Sequence, residues 1–163
     1  MTEGEYFQGL YDAGNGDGVN KQTYKEMTTT LLLDPENAVL TVHTGNNKFN
    51  GPSGSIADNP NSIPGVKEGK LIKIGDAHTH QVADLFPDSF RAASVQDGGD
   101  GAKAVSNKVP LLTIDSKNVD AFIPSSQSMN GRVAIDNIGS TPALFNNTFS
   151  VLQAALEYFG GKK

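Results

Sequence analysis

Leu71-Ile72-Lys73-Ile74-Gly75-Asp76-Ala77-His78-Thr79-His80 joins an apolar, β-branched run to two histidines separated by one residue. The first five residues predict a strand that delivers the histidine pair at its end. Successive side chains of an extended chain point to opposite faces, so His78 and His80 share one face and can converge on a single ion. The chain holds three histidines, two of them here, and no cysteine. Thiolate metal sites, disulfides and cysteine nucleophiles are therefore excluded, and any transition-metal site rests on these imidazoles with carboxylate help. The bland alternative is a pair of turn or surface histidines.

Outward from this stretch the chain alternates helical and extended signals. Tyr6, Phe7, Leu10 and Tyr11 form one apolar helical face within 3–12, closed by Gly14-Asn15-Gly16-Asp17-Gly18. Thr28-Thr29-Thr30-Leu31-Leu32-Leu33 predicts a strand, Asp34-Pro35-Glu36-Asn37 a turn, and Ala38 to Thr44 the second strand of a hairpin. Residues 45–69, rich in Asn, Gly, Pro and Ser, predict a long loop. Beyond the histidines, 101–107 reads as helical, 109–115 and 119–123 as strands across a turn at 116–118, and 131–136 as a further strand. Phe145, Phe149, Leu152, Leu156 and Phe159 lie at helical spacing and predict one amphipathic C-terminal helix. There is no internal repeat, which leaves one α/β domain.

Composition bounds the function classes. A length of 163 residues with 37% hydrophobic content suffices for a single domain with its own core. Net charge is −5 with Lys and Arg scattered, so neither nucleic acid nor an anionic membrane is an expected partner. No apolar run approaches the ~20 residues of a spanning helix, and the acidic start Met1-Thr2-Glu3-Gly4-Glu5 differs from a signal peptide. The expectation is a soluble chain; cysteine usage says nothing of its compartment.

Two imidazoles suit zinc, and an oxygen ligand beside them leaves a fourth tetrahedral position for water, the catalytic arrangement. Asp97, in Ser94-Val95-Gln96-Asp97, is the expected third ligand, although a helix-capping role is the ordinary one for such an Asp. Asp76, Asp84, Asp88 and Asp100 are competing carboxylates. A general base is needed as well, and of the six glutamates Glu26 is best placed, at the opening of the first hairpin strand. Its bland reading is an exposed strand-start residue. Ser94 is expected to donate to an oxyanion, or else to serve as a turn or capping serine.

Glu26, then His78-x-His80, then Ser94-x-x-Asp97 together resemble the signature of the JAMM metallopeptidases, with the closest likeness to the Jab-like domains of bacterial polymorphic toxins. The resemblance spans about residues 20–125. It implies a mixed, largely antiparallel curved sheet flanked by helices, of the type shared with cytidine deaminases. It also implies Zn2+ held by His78, His80 and Asp97, catalysis by Glu26 and Ser94, and hydrolysis of peptide or isopeptide bonds in a protein substrate, in the setting of a secreted effector. Gln81 stands where the family usually has Pro, and the spacer from His80 to Ser94 is longer than usual.

Other readings are a metal-free scaffold of the same fold that binds a peptide, and a structural metal domain. Asp76-Ala77-His78-Thr79-His80 also echoes the opening of barrel-type metal hydrolases, which need ~200 residues of barrel afterwards. Only 83 residues follow His80. Val82 and Ala83 exclude a metallo-β-lactamase pattern, and Val19 and Asn20 break a calcium loop drawn from Asn15, Asp17 and Glu26.

Overall fold

Thr2 starts the first helix, its side chain accepting from Glu5 N, with Glu3 and Glu5 placed where the helix dipole favours negative charge. The computed structural model describes residues 1–15, 25–45, 59–80, 104, 108–124 and 135–160. In chain order they form α1 (Glu3–Gly14), β1 (Thr28–Asp34), β2 (Val39–Thr44), β3 (Ile72–Thr79), β4 (Leu111–Ile114), β5 (Asn118–Phe122), β6 (Ile135–Ser140), α2 (Thr141–Phe145) and α3 (Val151–Gly160). The strands make one sheet in the order β2-β1-β3-β4-β5-β6. Only β3 and β4 run parallel, and the other neighbours are antiparallel. This is a mixed α/β fold with a largely antiparallel sheet flanked by helices.

Alternation separates the two faces of the sheet. Leu31, Ala77, Leu112, Ile114, Val119 and Ala121 point to one side, where they join Phe7, Leu10 and Tyr11 of α1 and Val151, Ala154 and Ala155 of α3 in the main core. Helix α3 crosses close over β3 at Gly75, where a Cβ would stand 3.3 Å from the Ala155 side chain and 3.1 Å from the Pro110 carbonyl. The opposite face carries Thr28, Thr30, Asp76, His78, Thr113 and Asp120, all buried. Ala104, which is helical, packs on that second face against Leu111 and Phe122. Parallel neighbours require a crossover of a dozen or more residues, and the chain between β3 and β4 supplies it.

Several elements differ from the sequence reading, each for a local reason. The third strand does not stop at Gly75 but continues through Thr79, because β1 and β4 pair with it on both sides up to that point. Ala38 belongs to the hairpin turn with φ 54°, a turn closed by Asp34 Oδ1 accepting from Glu36 N and Asn37 N. Part of the expected 45–69 loop is a short 3-10 turn at Pro60–Ser62, capped by the Asn59 side chain. The last strand runs on to Ser140 through Asn137 and Gly139, residues of low strand propensity held by pairing with β5.

The expected C-terminal helix is two helices. Asn147 adopts φ 66° between α2 and α3. Its Oδ1 accepts from Gly4 N, and its Nδ2 donates to Thr2 Oγ1. Glu3 seals the same corner from α1, accepting from Ser150 Oγ and from Leu152 N at the start of α3. Of the helical stretch expected at 101–107, Ala104 alone falls among the described residues.

Candidate metal centre

The β1–β3 ladder decides where Glu26 lies. Thr28 pairs with His78, Thr29 with Ala77 and Thr30 with Asp76, so the same register carried one and two steps beyond the Thr28–His78 pair sets Met27 against Thr79 and Glu26 against His80. Two bonds show the extension: Thr79 N donates to Met27 O at 3.0 Å, and Met27 N donates to Thr79 Oγ1 at 2.9 Å. On the other flank, His80 N donates to Ile114 O at 2.8 Å. The tip of β3 is thus gripped from both neighbours, with His78, His80 and Glu26 on one face.

Their side chains meet. His78 Nε2 and His80 Nε2 are 2.7 Å apart, and His80 Nε2 lies 3.4 Å from Glu26 Oε2. The three donor atoms fall within 4.8 Å of one another and could hold a metal ion. Both histidines are 7% exposed, so solvent does not compete strongly for the ring nitrogens.

Does the donor set fit a metal? Ligand nitrogens ~2.0–2.1 Å from a tetrahedral zinc stand ~3.3 Å apart. The Glu26–His80 separation already matches that spacing; the two imidazoles must spread by ~0.6 Å. The Nε2 atoms of the two rings face each other at 2.7 Å, and each neutral imidazole can present a bare ring nitrogen there when its proton sits on Nδ1. Two such nitrogens and a carboxylate oxygen within 4.8 Å of one another are a donor set that fits a divalent ion.

Asp76, the nearest competing carboxylate in sequence, is not part of the group. Its Oδ2 is bound to Lys73 Nζ at 2.8 Å. That pair exists because the β1–β3 register slips between Leu31 and Leu32, so that Lys73 and Asp76, three residues apart, share a face. Thr30 Oγ1 and Asp76 Oδ1, on residues directly across the ladder, are buried without a hydrogen-bond partner among the described residues. Ser94 and Asp97, and the competing Asp84, Asp88 and Asp100, lie outside the described residues. Ala104, which lies between β3 and β4 in sequence, packs against Leu111 and Phe122 on the face that carries His78.

The hydroxyl of Thr79 is the feature that sequence reasoning missed. Its signal was a polar residue at a position that alternation assigns to the apolar core. Among the described residues no helix is long and apolar enough to cross a membrane. No family model, curated protein or solved structure matches this chain.

Proposed function

We propose that the chain is a JAMM-type zinc hydrolase that cleaves peptide or isopeptide bonds, acting as a bacterial effector module. The observation that carries this reading is the convergence of Glu26 on His78 and His80 across 52 residues of sequence. A bland reading of either motif leaves that convergence unexplained. The mixed sheet is compatible with the same assignment: β3 and β4 pair in parallel, and the sequence between them contains Ser94-x-x-Asp97. A JAMM or cytidine-deaminase-like architecture with a curved sheet is part of the proposal.

His78 and His80 hold the metal, with Asp97 as the third ligand that the resemblance implies. Zinc, when bound, supplies Lewis acidity that lowers the pKa of water toward ~7. Glu26 receives the proton from the attacking water and delivers it to the leaving nitrogen, a role its position beside His80 suits. Ser94 donates to the oxyanion of the tetrahedral intermediate, a contact worth about 10²–10³ in rate. Burial of the histidines keeps these charges in a medium where they act strongly on one another.

The test pairs zinc content of the purified protein with cleavage of a peptide library by wild type and Glu26→Gln. Zinc together with cleavage that Glu26→Gln abolishes supports the reading. Protein without zinc argues for a peptide-binding scaffold, and zinc without Glu26-dependent cleavage argues for a structural site.

A further inference from the structure

Thr79 stands between the two histidines, and its side chain points to the face they avoid. That face is the helix-covered core, where Ala77, Met27 and Ile114 are its apolar surroundings and Thr79 itself is fully buried. Packing alone would favour valine, which has the same shape and no polar atom to satisfy. The hydroxyl oxygen instead accepts the hydrogen bond of Met27 N at 2.9 Å.

In a regular antiparallel pair, residues that exchange hydrogen bonds do so through both backbone carbonyls. Here one of the two is replaced. Thr79 N donates to Met27 O as a ladder would have it, but Met27 N donates to the Thr79 side chain. Residue 80 meanwhile donates to β4 through His80 N. The end of β3 thus leans on β4 while the hydroxyl keeps hold of residue 27 on β1. Both backbone polar groups of Met27 are consumed by Thr79, and the next residue toward the N-terminus is Glu26.

We infer that Thr79 is a positioning residue whose hydroxyl holds Glu26 in place against His80. The inference rests on the metal-site reading of Glu26, His78 and His80. It assigns to the middle residue of the histidine pair a task toward the third group of the site, exerted through Met27 on the opposite face of the sheet. Without the hydroxyl, Met27 N is left buried and unpaired, a state that costs free energy until the backbone moves. Lys25 N donates to Gly14 O at 2.9 Å, so the movement falls on Glu26 and Met27, between that anchor and β1, and shifts Glu26 relative to His80. His78 and His80 keep their own grip through β3.

The experiment compares wild type with Thr79→Val, Thr79→Ser, Thr79→Ala, Glu26→Gln and Glu26→Gln/Thr79→Val. Two readouts are taken: Met27 amide hydrogen exchange without metal, and Co2+ affinity by titration of its visible absorption. Thr79→Val should lose Met27 protection and bind Co2+ about 10-fold more weakly, the scale of supporting-shell losses at metal sites. Thr79→Ser, which restores the acceptor, should recover both, and Thr79→Val should add nothing further in the Glu26→Gln background. If Thr79→Val does not fold, the Ser and Ala variants, which both lack the methyl, isolate the hydroxyl.

Full Met27 protection in the Val or Ala variant overturns the inference. So does an affinity loss from Thr79→Val that is undiminished in the Glu26→Gln background. Failure of wild type to bind Co2+ would instead sink the metal-site reading, while the Met27 exchange still reports on the hydroxyl.

Discussion

Zinc held at His78 and His80, with the Glu26 carboxylate beside them, should raise the thermal stability of the protein, and the size of the effect follows from where these groups come from. An ion that binds only the folded state at 100 times its Kd stabilises by ~2.7 kcal/mol. For a domain of this length, each kcal/mol moves Tm by ~2–4 °C, which gives a rise of about 5–11 °C. Two corrections lower that figure. The two imidazole nitrogens, 2.7 Å apart, must reach ligand spacing, and His78 and His80, being two residues apart, still offer a weak site in the unfolded chain. Glu26 offers none there, because only the β1–β3 pairing brings it to His80. Differential scanning fluorimetry in buffered free zinc against EDTA measures the shift. Wild type should gain several degrees, Glu26→Gln less, and His78→Ala/His80→Ala nothing. An equal shift in the double histidine variant, or none in wild type at saturating zinc, would refute this reasoning.

Three further outcomes are expected away from the metal donors. Gly4→Ala puts a Cβ into the Phe145 carbonyl oxygen and 2.7 Å from that of Leu144, so α1 and α2 must separate. A loss of about 1–3 kcal/mol in urea unfolding is the typical cost of such overpacking, and unchanged stability would contradict it. Asp76→Asn removes the partner of Lys73 in a pair whose side chains are 13% and 4% exposed. Breaking buried pairs costs up to about 3–5 kcal/mol, with the lower end expected here because Lys73 reaches solvent; a neutral result in the same assay would show the pair to be dispensable. Asp34 titrates below its ordinary value, chiefly because the Asn37 side chain, then the Asn37 backbone N–H, donates to its carboxylate. Its folded pKa being depressed, the turn is supported above pH 3.8 and loosens as pH falls through the folded value. Asn37→Ala should move that titration upward, read from the Asp34 carboxyl carbon shift by NMR.

Some of the molecule was legible from pattern. The α1 face, the β1–β2 hairpin and the strand leading to the histidines follow from periods of 3.6 and 2 and from the Asp-Pro-Glu-Asn turn, all of which act over a few residues. The faults were of a different kind. Asn137, Gly139 and Ser140 have no strand signal of their own and are extended because β5 supplies their partners. Phe145 and Phe149 keep a helical spacing across a break that is fixed by Asn147 binding back to Thr2 and Gly4, more than 140 residues earlier. Periodicity reports local geometry, and these positions are set by contacts far along the chain.

The sequence by itself determined that His78 and His80 share a face, since alternation along an extended chain permits nothing else. It also named Glu26 as the partner to look for. Only the tertiary structure could bring Glu26 there, because the register of an antiparallel pair is a property of two strands, and a slip of one residue would turn that carboxylate to the helix side. Tertiary structure likewise withdrew Asp76 from the site, through a bulge that hands it to Lys73. It also converted Thr79, an unremarked residue between the two histidines, into the hydrogen-bond acceptor for Met27.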